Sequence, residues 1–332
     1  MYGWGSDTTS WKGPKKYEYD SARSPYLDKL GSSSKAKGPR SYMSRSSPDM
    51  DLVNPRGKNI TSDSENPIIL GVDVTGSMAT WPAEIFDRLP LFYQTLSQYR
   101  KDVEISFAAI GDAYCDSYPI QVTDFTKELD LEKKLNALCP EGGGGGQVSE
   151  TYELFGHFLL NHCETPNAKT PFLFLFGDEK FYDTVNPDQI EHYIGDKVQS
   201  APNSNEVWKG LMQKFNVYLL HKPYGYGDSS SVDKEVVDHW AKAIGRQRII
   251  ELPSKERAVD IAMGIVAKHW GKFSDFGDNL SARQDSSSSA PVYDSLRMID
   301  DPSTSNHSVV TRKASGDKTT SLSEMFDDAK KP

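Results

Sequence analysis

Between residues 64 and 271, short apolar runs alternate with stretches in which apolar residues recur every three or four positions. The runs read as strands and the periodic stretches as helices. Residues 67–72 (PIILGV) form an unbroken apolar run, as a strand buried on both faces would, and end in a turn-forming Asp-Val-Thr-Gly-Ser stretch. Ile85, Phe86, Leu89, Phe92, Leu96 and Tyr99 then follow helical spacing, with Pro90 inside the pattern, where it should kink or split the helix. Residues 103–110 (VEISFAAI) and 119–125 (PIQVTDF) read as an antiparallel hairpin. A short helix over 131–138, a glycine-rich loop over 141–147 and a helix over 149–163 lead to 171–177 (PFLFLFG), the most apolar segment of the chain. Helices over 188–198, 206–215 and 232–244 alternate with strands over 217–221 and 248–252, and a final helix opens at Pro253-Ser254. This alternation predicts an α/β fold of Rossmann-like type: a mostly parallel central sheet with one antiparallel hairpin strand and helices on both faces.

The flanks lack such a pattern. Residues 1–63 are rich in Ser, Gly, Pro, Lys and Tyr with few neighbouring aliphatics, and 284–290 is a Ser-rich run. Such composition does not offset the entropy of ordering, so 1–63 and 272–332 are read as disordered tails around one domain over 64–271. That domain carries 30 Asp and Glu against 19 Lys and Arg, out of a whole-chain net charge of −9. An acidic surface disfavours nucleic-acid backbones and favours cations or basic surfaces. The slightly basic N-terminal arm reads as solubilising. Cys115, Cys139 and Cys163 have no close-spaced pair, which suggests neither a disulfide framework nor a zinc ribbon, and no run is long enough to span a bilayer. The expectation is a cytoplasmic protein with no membrane partner.

Strands that end in acidic or hydroxyl residues place the chemistry at one edge of the sheet, where ligands of such folds sit. Asp73-Val74-Thr75-Gly76-Ser77 sets a carboxylate and two hydroxyls at alternate positions of a turn, a donor set suited to a hard cation. The plain alternative is that Asp73 and Ser77 cap the next helix. Residues 142–146 are five consecutive glycines with no following Gly-Lys-Ser/Thr, so the loop reads as a close passage of the chain, not a phosphate cradle. Asp112 and Asp116 in the hairpin turn are expected on the same rim, as solvated turn residues or else as a second cation site or an acidic collar. No Gly-x-Ser-x-Gly and no His-Glu-x-x-His occurs. His157 and His162, five apart, are expected on different helix faces, and Trp208, Trp240 and Trp270 in the core.

On the Asp-x-Thr-x-Ser stretch, the glycine-rich loop and Asp178 at the end of a later strand, residues 66–271 resemble the von Willebrand factor type A (vWA) family with its metal-ion-dependent adhesion site. The resemblance implies metal ligation by Asp73, Thr75, Ser77 and Asp178. Where the family usually has a Thr after the glycines, this chain has Gln147-Val148-Ser149-Glu150-Thr151. Gln147 is the first choice for that position. Glu150 stays open between a ligand and a first-turn acid, and Ser149 reads as a helix N-cap. The metal implied is Mg2+, with Mn2+ or Ca2+ as alternatives, and the function a non-enzymatic module whose metal accepts an Asp or Glu carboxylate from a partner protein. Two other readings remain: a metal-dependent hydrolase on the same rim with Glu150 or Glu179 as base, and an assembly protein that binds through its tails, including residues 322–326 (LSEMF).

Overall fold

In the computed structural model, which describes residues 47–299 apart from 129, 144–147 and 226–228, the apolar runs make one six-stranded sheet. In chain order its strands are β1 (Asn66–Asp73), β2 (Val103–Ile110), β3 (Ile120–Val122), β4 (Phe172–Gly177), β5 (Asn216–His221) and β6 (Ile249–Glu251). They lie in the order β6-β5-β4-β1-β2-β3, all parallel except β3, which pairs antiparallel with β2. Asp73 stands opposite Ile110, and Val72 opposite Phe176. The expected mostly parallel sheet with one antiparallel strand is therefore what the chain forms.

Successive side chains of a strand point to opposite faces, so each central strand feeds two cores. Ile68, Leu70 and Val72 join Phe172, Phe174 and Phe176 on one face, under α1 (Trp81–Tyr99). Ile69 joins Leu173 and Leu175 on the other, under α3 (Tyr152–His162), α4 (Ser204–Lys214) and α5 (Ser229–Ile244). Helix α2 (Asp130–Ala137) lies between β3 and the glycine loop in the chain. Trp208 and Trp240 are fully buried and Trp270 nearly so, as expected.

Several elements differ from the expectation. Helix α1 runs unbroken from Trp81 to Tyr99 with Pro90 inside, its apolar face buried along most of its length. That burial outweighs one missing backbone donor. The helix expected over 188–198 is shorter: a single turn, Pro187–Gln189, continues as a π-type turn, Ile190–Ile194, closed by Gly195 at φ 99°.

The order also extends beyond 64–271 on both sides. Met50–Val53 is a short helix that buries Val53, Ile60–Thr61 pairs with Cys163–Glu164, and Lys58 Nζ donates to the carbonyls of Leu52 and Val122. The ring nitrogens of His162, at the end of α3, lie 2.9 Å from Asn59 Oδ1 and 2.7 Å from Asp196 Oδ2, both acceptor oxygens. His157 Nε2 lies 3.8 Å from the same Asp196 oxygen, so the two histidines, expected on different faces, converge there.

After Gly271 the chain forms α7 (Phe273–Arg283) and α8 (Ser286–Ser295), which pack on α6 (Ala258–His269). The Ser-rich run is thus helical in this structure, because Asp285 accepts the Ser288 N–H at its N-terminus (2.9 Å) and Val292 anchors it. Residues 1–46 and 300–332, including 322–326, lie outside the described residues. Among the described residues no helix is long and apolar enough to cross a membrane.

Candidate metal centre

The order of strands reverses between β1 and β4, which are neighbours in the sheet although β2 and β3 lie between them in the chain. Two strand ends meet there, one carrying Asp73 and the other leading into Asp178. The Val74 N–H still donates to Ile110 O (2.8 Å), and the chain then turns as the Thr75 N–H donates to Asp73 Oδ1 (2.8 Å). A 3-10 turn, Gly76–Met78, and Ala79 at φ 49° carry it to α1. The helix starts at Trp81, beyond Ser77, and neither Asp73 nor Ser77 caps it.

Their side chains instead form one hydrogen-bonded chain. The Thr75 hydroxyl donates to Asp73 Oδ1 (2.6 Å) and its oxygen lies 3.2 Å from Ser77 Oγ. The Ser77 hydroxyl donates to Asp178 Oδ1 (2.9 Å). Each hydroxyl proton has a carboxylate to receive it, which leaves hydroxyl lone pairs free for an electron-pair acceptor. Asp73 and Asp178 are both fully buried.

Sequence reasoning missed four further contacts. Tyr152, at the start of α3, donates its hydroxyl to Asp73 Oδ2 (2.5 Å). Lys222, just after β5, places its ammonium 2.7 Å from Asp178 Oδ2. The Tyr224 hydroxyl donates to Glu179 Oε1 (2.7 Å), whose backbone carbonyl accepts the Trp240 indole N–H (2.9 Å). One signal was present for the first: a Cβ on Gly177 would fall 2.0 Å from the Tyr152 hydroxyl, so the strand end must be bare there.

Glycines also explain the loop. The Gly76 N–H donates to Gly143 O, and a Cβ on Gly143 would overlap an Asp116 carboxylate oxygen at 1.8 Å. The loop therefore passes between the motif and Asp116, as a close passage requires. Gln147 lies outside the described residues. Ser149 does not cap α3; its hydroxyl donates to Val148 O, and Ser149–Glu150 pairs in parallel with Lys180–Phe181. The pairing brings Glu150 against Glu179. Glu150 is 2% exposed, and its Oε2 has no hydrogen-bond partner. Glu150 thus reaches the hydrogen-bonded group through Glu179, whose carboxyl is hydrogen-bonded to both Glu150 and Ser77. Asp112 and Asp116 are held in their own turn: Asp112 is fully buried, not solvated, and its N–H donates to Asp116 Oδ2 (2.7 Å).

Packing acids this closely makes their charges costly. Burial first, and Asp178 second, push the Asp73 carboxyl up to about 7 against the hydrogen bonds of Thr75 and Tyr152. Burial, then Asp73 and Glu179, push Glu150 up to about 11. Glu179 is raised by burial, while hydrogen bonding from Tyr224 pulls it down. Among the described residues no group of three or more His, Cys, Asp and Glu side chains is disposed to hold a metal. The candidate group is of another kind, two carboxylates with two hydroxyls.

No family model matches the chain, and no curated protein does. Solved structures share a partial likeness. The pilus adhesin SpaC from Lactobacillus rhamnosus GG, in its open conformation, is 16% identical at a TM-score of 0.46, over 67% of this chain and 31% of that one. Proximal thread matrix protein 1 of the mussel byssus is 12% identical at 0.41, over 63% and 49%. The vWF domain of the type V pili tip protein Mfa5 from Porphyromonas gingivalis is 10% identical at 0.38, over 62% and 96%. This chain thus spans about a third of the SpaC adhesin's length.

Proposed function

We propose that this chain is a vWA-type, non-enzymatic binding module that engages a partner protein's Asp or Glu carboxylate through a divalent cation. The observation that carries the reading is the hydrogen-bonded run of Asp73, Thr75, Ser77 and Asp178 at the point where the strand order reverses. The donor set fits a hard cation: two carboxylates, and two hydroxyls whose protons already point to those carboxylates. The unpartnered Glu150 Oε2 is a further oxygen at the same edge. Asp73, Thr75, Ser77 and Asp178 would hold the cation, with Glu150 beside them. Mg2+ suits few carboxylates and several neutral oxygens, with Mn2+ and Ca2+ as alternatives. When bound, the ion supplies a Lewis-acidic position for a carboxylate oxygen. The chain's own residues supply rigidity, because Tyr152 fixes Asp73 and the Trp240 indole fixes the backbone at Glu179.

Calorimetric titration of Mg2+ into the wild-type chain and into the Asp73→Ala/Ser77→Ala double variant tests the reading. Binding to the wild type alone is expected. Equal affinity in the two proteins would overturn it.

A further inference from the structure

Lys222 lies at the start of the segment that leaves β5 and folds back over the end of β4. Its N–H donates to Gly177 O (2.9 Å), which fixes the backbone beside Asp178. Its ammonium sits 2.7 Å from Asp178 Oδ2 and 5.0 Å from the centre of the Tyr224 ring. The side chain is 12% exposed, whereas that of Asp178 is fully buried. Two residues on, the Tyr224 hydroxyl holds Glu179, so one segment covers both acids that follow β4. Both Asp178 oxygens are thereby engaged: Oδ1 by the Ser77 hydroxyl and Oδ2 by a positive charge. Among the described residues no lysine, arginine or histidine lies within ion-pair distance of Asp73, Glu150 or Glu179. Lys222 is the internal counter-charge of a buried acidic group.

We propose that Lys222 competes with the divalent cation for Asp178 and so sets the cation affinity of the site. The inference rests on the reading of this group as a cation site and adds the device that tunes it. A divalent ion brought to Asp178 meets an ammonium already on the same carboxylate. Either the ammonium gives up Oδ2, or two like charges share one partner in a site with little solvent to screen them. Both routes weaken cation binding. The lysine also lets the acidic group exist without a metal, because a buried carboxylate with an ion-pair partner costs far less than an isolated one. The site therefore fills at higher free cation concentrations than the same oxygens would need without the lysine.

The test compares the full chain with Lys222→Met, Lys222→Gln and Lys222→Arg, titrated calorimetrically with MgCl2 and separately with CaCl2, with thermal melting of each protein at rising cation concentration. Lys222→Gln keeps an N–H donor toward Asp178 and serves if Lys222→Met does not fold. Removing the charge should tighten cation binding by about tenfold or more, and Lys222→Arg should stay within a few-fold of wild type. Cations should also raise the melting temperature of the charge-removed variants more than that of wild type. Unchanged or weaker cation binding in Lys222→Met and Lys222→Gln, with clear binding by wild type, would overturn the role of Lys222 while leaving the cation site standing. If wild type and variants all melt cooperatively and none binds a cation, the cation reading falls, and this inference with it.

Discussion

A carboxyl buried beside a second carboxyl, as Asp73 is beside Asp178, binds a proton more tightly in the folded chain than in the unfolded one. Its pKa moves from an ordinary 3.8 to about 7, so between those values the native state holds the extra proton and stability falls as pH rises. Glu150, pushed up to about 11, extends the same trend upward from its ordinary 4.5. The metal-free protein should therefore melt at a higher temperature at pH 7 than at pH 9, a window above the ordinary 6.5 of His157, His221 and His239, whose lowered pKa values act in the opposite sense at lower pH. Asp73→Asn removes this contribution. The amide still accepts from Thr75, and the Tyr152 hydroxyl can turn to accept from the amide nitrogen. This variant should stabilise the metal-free chain at pH 8 by about 1–3 kcal/mol while abolishing Mg2+ binding. Paired melting curves in chelator would show it, and a lower melting temperature at pH 8 would contradict it. Asp73, Thr75, Ser77 and Asp178 were legible in the sequence because three of them share one turn and the fourth ends an unmistakable strand. Tyr152, Lys222 and Tyr224 were not, because they come from distant elements, and a lysine after a strand reads as an ordinary solvated residue.

Helices α7 and α8 show how a composition argument fails at the level of an element. The Ser-rich run 284–290 has little to bury by itself, yet it lies between residues that do. Phe273, Phe276 and Leu280 before it and Val292 and Leu296 after it fall at helical spacings that could have been read. What the spacing could not supply was the receiving surface: Gly264 in α6 is bare, and a Cβ there would lie 2.3 Å from Leu296 and 3.2 Å from Phe276. Beneath it Asp260 pairs with Arg257 and Arg283, and the latter is itself in α7. Ending the chain at Gly271 would uncover the apolar face of α6 and leave buried Asp260 without one of its arginines. Phe276→Ala should cost about 3–5 kcal/mol, and truncation after residue 271 should cost more, with loss of cooperative unfolding. Denaturant unfolding of the three proteins checks this; a truncated chain as stable as the full one would mean that α7 and α8 contribute nothing. Helix α1 makes the converse point, since a proline that should break an isolated helix is carried by the burial around it.

On the scale of the molecule, the alternation of runs and periods was enough to specify an α/β sheet and one antiparallel strand, because strands buried on both faces and helices buried on one leave distinct patterns. The order β6-β5-β4-β1-β2-β3 follows from the chain stepping outward twice from β1 and then crossing to its other side. That crossing opens the crevice where Asp73 and Asp178 meet. The site is thus a consequence of topology as much as of the motif, and it lies among aromatic side chains, with the Tyr152 and Trp240 rings 5.5 Å apart. These rings give a local reporter. Tb3+ is a hard, oxygen-seeking ion whose emission is sensitised by nearby Tyr and Trp. Excited through these side chains, the wild-type chain with Tb3+ should emit strongly, lose the signal on adding Mg2+ or Ca2+, and show no such signal in Asp73→Ala/Ser77→Ala. Sensitised emission of equal strength in the double variant would contradict a cation site at the end of β1.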